Sequence, residues 1–138
     1  MTHERIELFT DGGSRGNPGP AALGVYMRDL DSGKEYRIGK YLGHTTNNQA
    51  EYQALVVALE KAHSLGAHEV TCYLDSELVV KQMKGEYKVK DAGLRVHFEA
   101  IKELSKKFKK FSIHHVRREK NKEADAVVNE VLDRHSRT

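Results

Sequence analysis

The sequence predicts an α/β domain: a five-stranded mixed sheet, with three antiparallel strands followed by two parallel ones, flanked by helices. Three observations support this fold class. Three strand-like segments come first, the apolar period then changes from that of a strand to that of a helix, and later strands alternate with helices. No repeat, linker or low-complexity tract divides the chain, so we expect one domain over residues 1–138.

The first three elements are predicted to form an antiparallel meander. The strands cover residues 5–11, 22–30 and 35–44. Asp31-Ser32-Gly33 is a hairpin turn between the second and third strands. The first strand is expected to stop at Gly12 and Gly13. Residues 14–20 contain too many Gly and Pro residues for a regular element, so we expect a loop there.

The remaining elements follow from helical spacing and short apolar runs. Ala54, Leu55 and Ala58 recur on one face of the first helix, which ends at Gly66 as a left-handed cap would. The predicted helices cover residues 48–64, 76–83, 91–107 and 122–135, and the predicted parallel strands cover residues 69–75 and 111–116.

The composition is that of a globular protein with a well-charged surface: 38% of residues are apolar and 31% are charged. No run of eighteen apolar residues occurs, so we expect no membrane span. Cys72 is the single cysteine, which excludes an internal disulfide, and its apolar surroundings predict a buried residue rather than a nucleophile. We expect a cytoplasmic monomer.

The basic residues form three clusters, although the formal net charge is only +3. The clusters are Lys81, Lys84, Lys88, Lys90 and Arg95; Lys102, Lys106, Lys107, Lys109 and Lys110; and Arg117, Arg118, Lys120 and Lys122. For the first two, phosphate binding and a solvated helix face are equally good explanations. The charge is compatible with a nucleic-acid partner and does not establish one.

Two acidic residues end strands. Asp11 follows the first strand, near the crevice where open α/β sheets bind ligands, although a turn-forming Asp is the better explanation for this residue alone. Asp75 follows the fourth strand and could equally cap the helix that begins at Ser76.

Two further acidic residues lie in first turns of helices, on the face that points to the sheet. Glu51 shares that face with Ala54, and a capping box with Asn48 explains it equally well. Asp125 shares its face with Val128, where an acid also complements the helix dipole.

Together, these four carboxylates predict a metal site. Like charges brought close together repel, and cations relieve that repulsion. Hard oxygen ligands without cysteine or clustered histidine favour Mg²⁺ or Mn²⁺ over zinc. Two such ions can activate a water and stabilise the leaving oxygen in phosphodiester cleavage.

Four segments resemble the signature motifs of the type 1 ribonuclease H family. They are Thr10-Asp11-Gly12-Gly13-Ser14-Arg15-Gly16-Asn17-Pro18-Gly19-Pro20, Thr45-Thr46-Asn47-Asn48-Gln49-Ala50-Glu51, Leu74-Asp75-Ser76 and Asn121-Lys122-Glu123-Ala124-Asp125. They occur in the family's order over nearly the whole chain, and the set is highly specific. The resemblance implies a ribonuclease H-like fold and an endonuclease that hydrolyses the RNA strand of RNA–DNA hybrids.

The resemblance also implies roles for the carboxylates. Asp11 would bridge two Mg²⁺ ions, with Glu51 and Asp75 completing one side each and Asp125 on the hydrolytic side. Mn²⁺ could substitute, and the products would carry 5′-phosphate and 3′-hydroxyl ends. Two rivals stay open at this level: a non-catalytic hybrid-binding module, and a nuclease of double-stranded RNA or branched DNA.

Substrate-binding residues are implied in the same way. They are Gly12, Gly13, Ser14, Gly16, Asn17, Thr46, Asn47, Asn48 and Ser76. Most would line the minor groove, where 2′-hydroxyl contacts distinguish RNA from DNA, and Thr46 would bind a phosphate of the DNA strand. Glycines in the loop would permit close backbone approach. Helix capping is a competing or additional role for Asn47 and Asn48.

The chain departs from the family's pattern in three places. The loop 117–121 has no His before the last carboxylate, and we hypothesise that Arg118 partly substitutes as a cation near the scissile phosphate. The Trp- and Lys-rich protrusion is absent, so hybrid affinity should rest on Lys84, Lys88, Lys90 and the Lys102–Lys110 cluster. Glu77 stands where some members carry a Gln that contacts the hybrid.

Overall fold

The computed structural model describes residues 5–136 as one mixed sheet with helices on both faces. The strands are β1 (Arg5–Ser14), β2 (Gly19–Asp29), β3 (Glu35–Thr45), β4 (Glu69–Leu74) and β5 (Lys110–His115). The helices are α1 (Asn47–Ser64), α2 (Glu77–Met83), α3 (Ala92–Ser105) and α4 (Lys122–Ser136), with a 3₁₀ turn at Arg118–Lys120. Among these described residues, no helix has the length and apolar character needed to cross a membrane.

The strand order is β3-β2-β1-β4-β5, so β1 is central. Strands β1, β2 and β3 pair antiparallel, whereas β4 pairs parallel with both β1 and β5. This topology confirms the predicted fold class. Each parallel strand is reached through at least one helix, as a parallel connection requires.

The two faces of the sheet carry cores of different size. Ile6 and Leu8 of β1 pack with residues of α1, α2 and α3 in what we call the large core. The small core lies on the other face and consists of Ala22, Val128, Val131 and Leu132, with Tyr41 packed against it. Helix α4 supplies three of these four buried side chains.

The predicted ends of β1 and β2 were wrong. Strand β1 continues through Gly12 and Gly13 to Ser14, and β2 begins at Gly19. Antiparallel pairing across the hairpin, from Asp11–Gly24 to Ser14–Ala21, holds these breaker residues in the sheet. Tertiary pairing therefore outweighs the low strand propensity of glycine, and the loop shrinks to residues 15–18.

Only residues 84–91 connect α2 to α3, and they contain no helix. The structure thus confirms that the chain has the minimal form without a protruding extra helix. Two partly buried hydrogen bonds hold this connection in place. Gln82 Nε2 donates to the Lys88 carbonyl at 3.3 Å, and Arg95 Nη2 donates to the Val89 carbonyl at 2.7 Å.

Candidate active site

Gly12 allows α1 to lie directly against β1. A Cβ at this position would overlap the backbone of Ala50 and Glu51. Any larger residue would therefore push the helix outward, and with it the carboxylate of Glu51. Gly12 therefore does permit a close backbone approach, as predicted, but the backbone that approaches it belongs to α1 and not to a ligand.

Gly24 has the same role on the opposite face of the sheet. Its neighbour in the antiparallel ladder is Asp11, and a Cβ there would overlap the carbonyl oxygen of Ala124. The first turn of α4 can therefore approach β2 closely beside Asp11. This contact brings Asp125 to the end of the sheet where Asp11 lies.

Three of the four predicted carboxylates form a tight cluster. Ligand atoms of Asp11, Glu51 and Asp75 all lie within 4.8 Å of one another. Asp125 stands outside this group but lines the same cleft. Asp11 lies within β1, not at its end, immediately after Thr10, the last β1 residue that pairs with β4.

Burial and mutual repulsion disfavour the ionised carboxylates. Asp11 is 7% exposed and Glu51 is 8% exposed. Burial, followed by the charge of Asp75 and then by a hydrogen bond with Asp125 and the charge of Asp125, raises the pKa of Asp11 from 3.8 to about 7. Burial, followed by the charges of Asp11 and Asp75, raises the pKa of Glu51 well above its ordinary value.

The donor set fits a hard divalent cation. Glu51 Oε2 and Asp75 Oδ2 are buried oxygens without a hydrogen-bond partner among the described residues. A buried polar atom without a partner is costly, and a cation would satisfy both oxygens and offset the repulsion. The clustered ligand atoms are all carboxylate oxygens, which suit Mg²⁺ or Mn²⁺.

The structure decides against helix capping as the role of Glu51 and Asp75. The N-cap of α1 is Thr46, whose side chain accepts from Gln49 N at 3.2 Å. The N-cap of α2 is Ser76, whose side chain accepts from Val79 N at 3.3 Å. The capping-box alternative for Glu51 and the capping alternative for Asp75 are therefore excluded.

The four carboxylates line an open cleft of ≈ 420 Å³. Seven other predicted site residues line it: Gly12, Gly13, Ser14, Asn47, Asn48, Ser76 and Arg118. An adjoining cleft of ≈ 320 Å³ is lined by Asn17, Thr46, Asn48, Gln49, Asp91 and Leu94. Gly16 lines neither of them.

Known proteins resemble this chain over almost its full length. A family model described as reverse transcriptase-like matches residues 9–131. Ribonuclease HI of Halobacterium salinarum is 44% identical over 129 residues, which cover 94% of this chain and 65% of that protein.

The chain belongs to the type 1 ribonuclease H family.

Solved structures of ribonucleases H1 share the fold. That of RNase H1 from Halobacterium salinarum has a TM-score of 0.89 and 44% identity, covering 94% of this chain and 98% of that one. LC11-RNase H1 in complex with an RNA/DNA hybrid has a TM-score of 0.87 and 42% identity, with the same coverages. A bifunctional protein of Mycobacterium tuberculosis is 38% identical over 130 residues, and the match spans 94% of this chain and 36% of that protein.

In this ribonuclease H family member, the glycine-rich loop is tied to the start of α1. Asn47 Oδ1 accepts from Ser14 N at 2.8 Å and from Ser14 Oγ at 3.0 Å. Asn47 N in turn donates to Asn17 Oδ1 at 3.0 Å. Because its side-chain oxygen already accepts two hydrogen bonds, the Asn47 side chain can offer a ligand only the donors on Nδ2.

The basic clusters lie at different ends of the molecule. Lys110 pairs with Glu69 at 3.6 Å, and Lys109 lines a small pocket with Arg5 and Glu69. Arg5 and Glu69 begin β1 and β4, whereas the carboxylates lie at the far ends of these strands. Lys109 and Lys110 of the Lys102–Lys110 cluster therefore lie by the starts of these strands, away from the carboxylates.

Segment 84–91 is better placed to meet a ligand. It ends at Asp91, which lines the adjoining cleft together with Asn17 and Thr46. Lys84, Lys88 and Lys90 of this segment are exposed. Together with the Lys102–Lys110 cluster, they remain the basic residues from which we expect hybrid affinity.

Several residues that line the two clefts were not among the predicted site residues. Arg15 and Asn129 line the main cleft, and Gln49 lines the adjoining one. Asn129 Nδ2 donates to Asp125 Oδ2 at 3.3 Å, one helical turn away. The i, i+4 spacing of these two residues was the signal that could have identified Asn129.

Proposed function

We propose that this chain is an endonuclease that hydrolyses the RNA strand of RNA–DNA hybrids, acting as a single domain over residues 1–138. The observation that carries this proposal is the cluster of Asp11, Glu51 and Asp75, which line an open cleft and whose ligand atoms lie within 4.8 Å of one another. The chain spans 65% of the length of the Halobacterium salinarum ribonuclease HI and 36% of the length of the bifunctional Mycobacterium tuberculosis protein. The activity is therefore proposed from the site.

Two Mg²⁺ ions are the proposed cofactors, and Mn²⁺ can substitute. Asp11, Glu51, Asp75 and Asp125 would hold them, since these carboxylates share one cleft. When bound, the ions would lower the pKa of a water and stabilise the leaving oxygen, giving 5′-phosphate and 3′-hydroxyl ends. The protein contributes a fixed arrangement of the four carboxylates, because β1, β4 and two helices carry them.

The groove beside the carboxylates would hold the hybrid. Its proposed contacts are Gly12, Gly13, Ser14, Gly16, Asn17, Thr46, Asn47, Asn48 and Ser76. The complex of LC11-RNase H1 with an RNA/DNA hybrid supports this partner for a relative of the same fold. Hydroxyl and amide groups along the groove suit 2′-hydroxyl contacts, by which a protein distinguishes RNA from DNA.

Arg118 is the proposed cation near the scissile phosphate. It lines the carboxylate cleft, whereas its neighbour Arg117 does not and is 83% exposed. We expect Arg118→Ala to lower kcat by about tenfold, because one charge-assisted contact to the transition state is lost. Arg117→Ala is the matched control, and equal rates for both variants would remove Arg118 from the mechanism.

The deciding experiment is Mg²⁺-dependent cleavage of a short hybrid labelled on its RNA strand, with Asp11→Asn as the comparison. Cleavage of RNA only, abolished by EDTA and in the variant, supports the proposal. Tight hybrid binding without cleavage in Mg²⁺ or Mn²⁺ would make the chain a binding module. Parallel assays with double-stranded RNA and double-stranded DNA test the substrate range.

A further inference from the structure

The four carboxylates come from two separately packed parts of the fold. Asp11, Glu51 and Asp75 lie on or beside β1, α1 and β4, which share the large core. Asp125 lies on α4, which packs over the small core on the opposite face. Concerted action of all four requires a contact that keeps the start of α4 in register with β1.

Asn121 provides that contact through its side chain. The residue is 1% exposed, and its Nδ2 donates to the carbonyl oxygen of Thr10 at 2.9 Å. Thr10 directly precedes Asp11. A buried side-chain hydrogen bond therefore reaches the backbone of β1 next to the most central carboxylate.

The backbone of Asn121 serves the other part of the site. Its N–H donates to the Arg118 carbonyl at 2.9 Å, and its carbonyl accepts from Asp125 N at 3.1 Å. One residue thus joins the strand that carries Asp11, the turn that carries Arg118 and the first turn of α4.

The bond to Thr10 lies where the parallel ladder between β1 and β4 ends. Thr10 pairs with Leu74, and both are the last residues of the β1–β4 ladder, because β4 ends there. Beyond this pair, β4 no longer runs alongside β1. The Asn121 amide supplies the Thr10 carbonyl with a donor at the point where the parallel ladder stops.

We propose that Asn121 is a positioning residue that sets Asp125 and Arg118 relative to Asp11. Asn121 does not line the cleft, so it acts through the residues that do. The consequence for catalysis rests on the proposed function, whereas the positioning itself does not. Groups that orient metal ligands typically account for about 10- to 100-fold in activity or metal affinity, because small displacements at the site are costly.

The kinetic test compares Asn121→Ala with Val131→Ala, which removes two methyl groups from the small core beneath α4. Both variants loosen the packing of α4, but only the first removes the bond to Thr10. We expect Asn121→Ala to lower kcat for hybrid cleavage by about 10- to 100-fold, with KM changed less than about threefold. For Val131→Ala we expect kcat within about twofold of the wild type at a temperature where both variants are folded.

The structural test uses NMR on the protein without substrate or metal. In the wild type, the side-chain NH₂ protons of Asn121 should exchange slowly, because the group is buried and bonded. In Asn121→Ala, or in the more conservative Asn121→Ser if that variant folds better, the amide signals of Asp125 and Arg118 should move. The amide signal of Glu51 should stay in place.

Two results would overturn the proposal: a kcat for Asn121→Ala no lower than that of Val131→Ala, or free exchange of the wild-type Asn121 side-chain protons. Free exchange in the wild type would overturn the positioning role even if every Asn121 variant unfolds, because this measurement needs no variant. If the wild type does not cleave hybrids, the proposed function fails, and the NMR measurement still tests the positioning role by itself.

Discussion

The two faces of the sheet support the candidate site unequally. On one face, α1, α2 and α3 enclose the large core, which includes Leu8, Leu55 and Leu59. On the other face, α4 alone covers the small core around Val128 and Val131. Glu51 is therefore carried by a helix that is deeply packed, and Asp125 by one with far less buried apolar surface beneath it.

This difference suggests that the two faces hold their carboxylates in place by different interactions. The triad of Asp11, Glu51 and Asp75 is held by the part of the fold with the most hydrophobic stabilisation, which resists the repulsion between the carboxylates. Asp125 joins from the less strongly packed face, where specific polar contacts such as that of Asn121 matter more. Substitutions on the two faces should therefore have different costs.

The largest effect is expected from Gly12→Ala. A Cβ there overlaps the backbone of α1, so we expect a loss of more than about 4 kcal/mol in the free energy of unfolding. Gly24→Ala displaces only the start of α4 and should cost less. Gly13→Ala is the control, because its Cβ would meet Val128 Cγ1 at an ordinary 3.8 Å. Urea unfolding of the three variants tests this order.

Truncation of a leucine on each face compares the cores directly. Leu59 of α1 is fully buried in the large core, and Leu132 of α4 is 4% exposed in the small core. We expect Leu59→Ala to cost about 3 to 4 kcal/mol and Leu132→Ala about 2 kcal/mol, because the smaller cluster can collapse into the space left behind. Equal costs, measured by urea unfolding, would contradict the proposed difference between the faces.

The burial of Asp11 and the repulsion within the triad predict an effect of pH on stability. The folded, metal-free protein holds the Asp11 proton up to about pH 7, whereas the unfolded chain releases it near pH 3.8. Stability of the metal-free protein should therefore fall as pH rises from about 4 to about 7, because the folded state binds more protons in this range.

Asp11→Asn should weaken that dependence, with the raised pKa of Glu51 accounting for what remains, and should stabilise the metal-free protein at pH 7 by about 1 to 3 kcal/mol. Thermal melts with EDTA across this pH range measure the effect. Glu60→Gln, which removes an exposed charge from α1, is the matched control. If Asp11→Asn melts with the same pH dependence as the wild type, the effect does not originate in Asp11.

The smallest effect is expected from the ion pairs that join α4 to the rest of the fold. Arg37 pairs with Glu123 at 2.9 Å and Arg15 with Asp133 at 2.5 Å, and all four side chains are 43–56% exposed. Glu123→Gln and Asp133→Asn should each change stability by less than about 1 kcal/mol, because water and salt screen such pairs. Larger losses in thermal melts would mean that α4 depends on these pairs more than on its small core.

Much of the fold was predictable because hydrophobic periodicity reports local structure. The period-two pattern of β4 and the helical stripe of α1 identified both elements, and the crossovers implied the parallel strands. The ends of β1 and β2 were not predictable in this way. Gly13 and Ser14 have weak strand propensity, and only their partners across the hairpin keep them extended.

The candidate site shows the same limit. The inward position of Glu51 was visible in the helical pattern, but a capping box with Asn48 explained it equally well. Only the observed cap at Thr46 removed that alternative. Likewise, no spacing rule connects Asn121 with Thr10, because the two residues are separated by 111 positions along the chain.

The sequence by itself determined the identity and order of the elements and the four carboxylates, because both depend on local patterns and short motifs. Only the tertiary structure decided which carboxylates meet and how the start of α4 is bonded to β1. These properties depend on close approaches such as those at Gly12 and Gly24. Contacts of this kind form between residues that are distant along the chain, so their energies come from packing that no local pattern encodes.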